Sequence, residues 1–261
     1  MGGAIPVFAG PRAGCLRDSP AVHVSGTELV VCLVVVAFGA FVQGSLGFGL
    51  NLIIAPVIAV LVPAAVPGGI VLLSLPLTVT MVLREHRHVD RRGVAWVMAG
   101  RLPGAVIGAA IVVLVANDVL TAVIGAAILV AVGLSVVHPH MRVTPVTAST
   151  AGLTAGVMGT AAAIDGPPLA LLYQNHRSEA IRATLATCFV LGTLMSAVAL
   201  VVAGELRWEQ IVFTIKLLPA RGIGLFASLW GVRHLDGRSL RPAVLTFAAV
   251  AGAVAVVRGL T

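Results

Sequence analysis

Two cationic side chains and one carboxylate fall within or beside apolar stretches of the sequence, where a charge needs a partner or a function. These residues are Arg101, Arg221 and Asp165. Arg221 lies about 12 residues from either end of its segment, which is close to the middle of a bilayer at about 1.5 Å per residue. An arginine at that depth costs at least about 2.5–3.5 kcal/mol. We therefore expect Arg221 to face a cavity, with two readings left open: a structural pair with Asp165, or contact with a bound anion.

Arg101 and Lys216 lie nearer the ends of their apolar segments. Long cationic side chains in such positions commonly extend to the membrane interface while their methylene groups stay in the apolar layer. This interfacial role is the expectation for both residues, and a contribution of Arg101 to an anion pathway is the alternative.

Helix-breaking residues interrupt an uncharged run that extends from Leu29 to Leu83. The stretch GSLGFGLNLIIAP (Gly44–Pro56) contains Gly44, Gly47, Gly49, Asn51 and Pro56. A helix that only crosses a membrane gains nothing from such residues, because backbone groups left unpaired in lipid are costly. The GxxGxG spacing lacks the preceding strand and the following acidic residue of a dinucleotide site. We interpret the stretch as a turn of the chain inside the membrane.

A second interrupted stretch reads AIDGPPLALLYQ (Ala163–Gln174). Asp165 suits an N-cap, and Pro167 suits the first helical turn, so a helix is predicted to begin near Gly166. Gly49 and Asn51 have the corresponding place in the first stretch. Two helix N-termini that meet inside the membrane favour an anion, since each presents free N–H groups and a positive dipole end.

Asp165 has two opposed readings. A low-dielectric site disfavours its carboxylate, whereas a helix N-terminus and a nearby cation favour it. In the first case Asp165 carries a proton and couples anion movement to the proton gradient. In the second it remains an ionised cap.

The composition places these stretches in a membrane. The chain has 261 residues, of which 59% are hydrophobic and only 10% charged, and its mean hydropathy is +1.06. Soluble domains carry about 25% charged residues, and a spanning helix needs roughly 20 apolar residues. We predict an all-α polytopic membrane protein. Its plain apolar stretches include Ala65–Leu83, Leu102–Asn117, Val119–Val137, Ala183–Gly204 and Leu240–Val257.

The broken stretches belong to an internal repeat. The pattern Gly44-x-x-Gly47 with Pro56 recurs 112 residues later as Gly156-x-x-Gly159 with Pro168. RLPGAVIGAAI, from Arg101, recurs as LLPARGIGLFA, from Leu217. We predict a loose tail over residues 1–26 and two repeats, 27–138 and 147–258, each a broken hairpin followed by three helices.

Loop charges predict that the two repeats are inverted. The links Arg84–Arg92 and Arg233–Arg241 are both rich in arginine, so the positive-inside rule places both in the cytoplasm. An even number of crossings must then separate them, which requires each broken segment to enter and leave on one side. Three plain crossings per half then invert the halves, an architecture known from secondary transporters.

Other functions fit the sequence less well. The formal charge of +7 resides in short loops, so nucleic acid is not an expected partner. Intramembrane aspartyl proteolysis needs two carboxylates and a zinc protease needs HExxH; neither is present, and no enzyme activity, metal or cofactor is predicted. Cys15, Cys32 and Cys188 form no CxxC pair.

Four motifs in order resemble the sulfite exporter TauE/SafE family, also called the toluenesulfonate uptake permeases. They are FVQGSLGFGLNLIIAP, RLPGAVIG, GVMGTAAAIDGPPLALLYQ and LLPARGIG, and the resemblance covers nearly the whole chain beyond residue 27. The chain departs from the family at Asp165, where members usually carry glycine. The signature positions implied by the resemblance are Gly44, Gly47, Gly49, Pro56, Gly156, Gly159, Gly166, Pro167 and Pro168.

The resemblance implies a secondary transporter of sulfite, sulfonates or related small anions, coupled to a proton or sodium gradient. A multi-pass protein of the cytoplasmic (inner) membrane is expected, and a homo-oligomer is compatible with the sequence. An anion channel and a membrane assembly subunit without transport are the alternatives.

Overall fold

The structure, a computed structural model, describes residues 24–46, 49–85, 89–136, 142–173, 178–231 and 237–260. These residues form ten α-helices and one 3-10 turn, with no strand among them, which confirms the predicted all-α polytopic fold. In chain order the helices are α1 (Gly26–Leu46), α2 (Leu50–Leu61), α3 (Gly68–Glu85), α4 (Arg91–Leu114), α5 (Asn117–Val136), α6 (Pro145–Ala161), α7 (Gly166–Tyr173), α8 (Ser178–Val202), α9 (Trp208–Gly231) and α10 (Gly237–Leu260); the turn Pro63–Ala65 precedes α3.

Helices α1, α4, α5, α8, α9 and α10 are long and apolar enough to cross a membrane. Helix α3 is shorter in apolar length, over Gly68–Leu83. The outer faces of the long helices expose apolar side chains such as Val34 and Phe226, which are 64% and 75% exposed. An apolar groove of about 700 Å³ between α4 and α8 also opens on this surface. Exposed apolar area of this extent identifies a surface that lipid solvates.

The chain breaks at the two predicted places. Gly49, before α2, has a φ of +116°, a conformation that glycine adopts without steric cost. Between α6 and α7 the break includes Ala163, whose φ of +59° is uncommon for a residue with a side chain. Eight of the twelve residues of α2 and five of the eight residues of α7 are buried. Ala162, Ala163 and Ile164 are also buried, so protein covers the non-helical backbone between α6 and α7, as a membrane interior requires.

The hairpin formed by α6 and α7 packs on α4, in the other half of the chain. A Cβ added to Gly100 would overlap the backbone of Ser149, and one added to Gly108 would meet the backbone of Val157, so α4 and α6 run parallel at close range. At the end of α7, the hydroxyl of Tyr173 donates to Oδ2 of Asp90 over 3.5 Å. The hairpin thus begins and ends beside the N-terminal half of α4.

The hairpin formed by α1 and α2 has the same relation to α9. A Cβ added to Gly224 would overlap the backbone of Ala37. Beyond α2, Nε2 of Gln210 donates to the carbonyl oxygen of Ala64 over 3.0 Å. Each hairpin therefore packs on the opposite half, while α3 pairs with α8 and α5 pairs with α10.

This symmetric pairing supports the division into repeats 27–138 and 147–258, although the division and the inversion remain predictions. The tail up to residue 23 lies outside the described residues. So do parts of the basic links, His86–His88 and residues 232–236.

Candidate anion-binding site

Two small cavities lie where the two breaks meet, and we call them the central cavities. Their volumes are about 20 Å³ and about 10 Å³. Helices α3 and α8 complete their walls. The polar side chains that line one or both are Gln43, Asn51, Ser74, Thr78, Arg101, Asp165, Thr193 and Ser196. A space of this size admits about one water molecule, so a larger anion can enter only when the surrounding helices separate.

Among the residues that the structure describes, Arg101 is the largest fully buried side chain, with 1% of its surface exposed. Its NH2 group donates to Oδ2 of Asp165 over 2.6 Å. The expected interfacial position of Arg101 is therefore wrong. Helix α4 begins at Arg91, so Arg101 lies near the middle of a 24-residue helix and is too far from either end to reach the interface. The Asp165 carboxylate offsets the free-energy cost of burying the Arg101 charge at this depth.

The ion pair uses only one of the three nitrogens of the guanidinium group. Nε and NH1 of Arg101 are buried and have no hydrogen-bond partner among the described residues. An unpaired buried donor costs about 1–3 kcal/mol, and more when it is charged. Arg101 is therefore ready to receive an acceptor, and it lines a central cavity.

Small residues provide the space that Arg101 occupies. A Cβ added to Gly192 of α8 would overlap the guanidinium carbon and Nε. A Cβ added to Gly159 would come within 3.0 Å of both Arg101 NH2 and the Cβ of Asp165. These glycines are needed here for close approach and not for backbone conformation.

Arg221 is also buried, at 4% exposure, which agrees with its expected depth. Its NH2 group donates to the carbonyl oxygen of Ser74 over 3.1 Å, and its NH1 group has no partner among the described residues. The expected structural pair between Arg221 and Asp165 is wrong, because the described carboxylate pairs with Arg101. Lys216 is exposed, in line with an interfacial position.

A chain of polar contacts connects Arg221 with both breaks. Oγ of Ser74 donates to Oδ1 of Asn51 over 3.0 Å, and Nδ2 of Asn51 donates to the carbonyl oxygen of Ala163 over 2.6 Å. Gln43 accepts a hydrogen bond from the N–H of Leu50, at the start of α2. These bonds satisfy backbone groups that the breaks leave free.

The N-termini of α2 and α7 line the same cavity, through Asn51 and Leu52 on one side and Gly166 and Pro167 on the other. The predicted start of α7 at Gly166 is confirmed. Pro167 and Pro168 have no N–H group, however, so α7 offers few backbone donors. Arginine side chains are then the strongest donors available to an anion.

The predicted site residues fall into two groups. Gly49, Asn51, Arg101, Gly159, Asp165, Gly166 and Pro167 line the central cavities. Gly44 packs on Ser228 and Gly156 packs on the backbone of Arg101. Pro56 and Pro168 are buried within α2 and α7. Gly47 lies outside the described residues.

The contribution of α3 and α8 was not predicted from the sequence. Ser74 and Thr78 are four residues apart on α3, and Thr193 and Ser196 are three apart on α8, so each pair shares one helical face. Hydroxyl groups repeated at helical spacing within apolar helices were the available signal.

Together these features define a multi-pass helical membrane protein with a buried cationic site between two broken helix pairs. The chain belongs to the sulfite exporter TauE/SafE family, whose model matches residues 31–255. Members of this family are membrane transporters. Comparison with curated proteins and with solved structures gave no significant match.

Proposed function

We propose that this protein is a secondary transporter that carries small sulfur-containing anions, such as sulfite or sulfonates, across the cytoplasmic membrane. The observation that carries the proposal is the guanidinium group of Arg101, which is buried in a central cavity with Nε and NH1 unpaired among the described residues. Each of these unpaired N–H groups can donate a charge-assisted hydrogen bond to an oxygen of a sulfite or sulfonate group.

A carrier fits the dimensions of the site better than a channel. The central cavities, about 20 Å³ and 10 Å³, are smaller than the proposed substrates. Binding then requires a conformational change, and transport should saturate with substrate. A non-transporting assembly subunit would have no use for a charged site in this position.

Purified protein in proteoliposomes tests the proposal through the uptake of radiolabelled sulfite. Saturable uptake by the wild type and its loss in Arg101→Lys would support it, because lysine keeps the charge but cannot hold Asp165 and present further fixed, planar donors at the same time. Lys216→Gln is the matched control, since Lys216 is exposed and away from the cavities. Uptake that rises linearly with concentration would instead support a channel, and no uptake above empty liposomes would contradict transport of sulfite.

Coupling to a proton or sodium gradient is part of the proposal. It is supported by Asp165, a carboxylate that lines both central cavities. Direction of transport follows from the gradient and from the side on which substrate is supplied.

A further inference from the structure

We propose that Asp165 makes this site selective for anions with one negative charge over anions with two. The inference rests on the proposed function, because it concerns the charge of the substrate that the same site carries. It comes from the balance of buried charges around the central cavities and from the position of the Asp165 carboxylate on Arg101.

The described residues around the cavities carry two positive charges and one negative charge. Arg101 and Arg221 are 1% and 4% exposed, and the side chain of Asp165 is 14% exposed. Lys216 does not enter this balance, because it is exposed. The net charge of the site is therefore +1, which a monoanion neutralises and a dianion exceeds.

Arg221 belongs to this balance although it does not line a cavity itself. Its NH2 group contacts the carbonyl oxygen of Ser74, and Ser74 lines both cavities. Its NH1 group is buried without a partner in the described part of the chain. Apart from Asp165, none of the side chains that line the two cavities is acidic.

The geometry places a bound anion close to the carboxylate. NH2 of Arg101 donates to Asp165, so an anion that accepts a hydrogen bond from Nε or from NH1 binds the same guanidinium group and lies a few ångströms from Oδ2. A second negative charge on the anion is then repelled by Asp165. At a separation of about 5 Å and an effective dielectric constant of about 20, this repulsion corresponds to an affinity change on the order of a hundredfold.

Methanesulfonate and sulfate are suitable probes, because both present oxygens on a tetrahedral sulfur and they differ by one charge at neutral pH. Their equilibrium dissociation constants are measured by titration calorimetry on purified full-length protein in detergent. For the wild type we expect tighter binding of methanesulfonate. For Asp165→Asn we expect the ratio of the two constants to shift toward sulfate by at least about tenfold.

Two further variants make the test independent of how well Asp165→Asn folds. Asn51→Asp adds a negative charge to the cavity wall and should shift the ratio against sulfate. Glu205→Gln removes a carboxylate from the link between α8 and α9 and should leave the ratio unchanged. An unchanged ratio in Asp165→Asn, or in Asn51→Asp where only that variant folds, would overturn the inference while anion binding still supports the proposed function. Failure of both anions to bind the wild type would overturn both.

Discussion

Asn51 donates a hydrogen bond over 2.6 Å to the carbonyl oxygen of Ala163, a residue 112 positions further along the chain. The same separation relates the two Gly-x-x-Gly motifs and their following prolines. The bond therefore joins corresponding places of the two predicted repeats, one in each break. Ala163 holds a left-handed backbone conformation there, and Asn51 fixes the direction of its carbonyl group.

Gly192→Ala should reduce anion uptake by at least about tenfold. The new Cβ would overlap the Arg101 guanidinium group, so Arg101 would have to shift. Overpacking of this kind typically destabilises a protein by about 1–3 kcal/mol. Gly133→Ala is the matched control, because a Cβ at Gly133 meets nothing within 4 Å. The check is initial uptake in proteoliposomes, normalised to the amount of protein inserted. Equal loss in both variants would point to a general effect of alanine in these helices and not to Arg101.

Arg101→Gln should destabilise the protein by about 3–5 kcal/mol, because it leaves Asp165 without its cation. The double variant Arg101→Gln/Asp165→Asn should recover most of this loss, since neither buried charge remains. Thermal unfolding in detergent measures both effects. A double variant no more stable than the single variant would mean that the pair contributes through packing alone. Neither variant should transport.

Asp165→Asn should test the predicted coupling role of this residue. The alternative, an N-cap of α7, is wrong, because the N–H groups that a cap would accept from belong to Pro167 and Pro168 and are absent. Asparagine has nearly the shape of aspartate but cannot carry a proton. If Asp165 couples transport to protons, the variant should still exchange anion across the membrane and lose accumulation driven by a pH gradient. Counterflow of labelled anion and gradient-driven uptake, measured on the same vesicles, distinguish these activities. Accumulation equal to that of the wild type would leave Asp165 without a coupling role.

Single cysteines should report the predicted orientation. In a background that lacks the native cysteines, Arg92→Cys and Arg142→Cys should both react with an impermeant thiol reagent from the cytoplasmic side. Ala116→Cys, in the link between α4 and α5, should react from the other side. All three positions are exposed. Opposite accessibility of the first two would contradict the predicted crossings of the membrane by α4 and α5.

The helices and breaks were predictable because they depend on local properties of the sequence. Apolar length identifies a spanning helix, and glycine and proline mark the places where it ends. Gly166 was correctly placed at the start of α7 for this reason.

The burial of Arg101 was not predictable in this way. The apolar stretch in the sequence begins at Leu102, which places Arg101 at its edge. Helix α4 in fact begins at Arg91, because Asp90 caps it through the N–H of Gly93. The carboxylate of Asp165, 64 residues away, stabilises the buried arginine. No local pattern in the sequence reveals such a partner.

Hydrophobic periodicity also did not predict which faces of α3 and α8 point inward. Where nearly every residue of a helix is apolar, hydrophobic periodicity does not distinguish the face that meets protein from the face that meets lipid. Gly192 therefore gave no sign that it adjoins the site. Only the packing of α8 against α3 and α4 assigns it there.

The exchange of hairpins between the halves determines which parts of the molecule can move together. Helix α4 and the hairpin α6–α7 form one tightly packed body, and α9 with α1–α2 forms another, so each body contains chain from both repeats. The Arg101–Asp165 pair lies within the first body. The Asn51–Ala163 bond connects the two bodies. A motion that separated the two bodies would therefore leave the ion pair intact and would have to break the bond between Asn51 and Ala163.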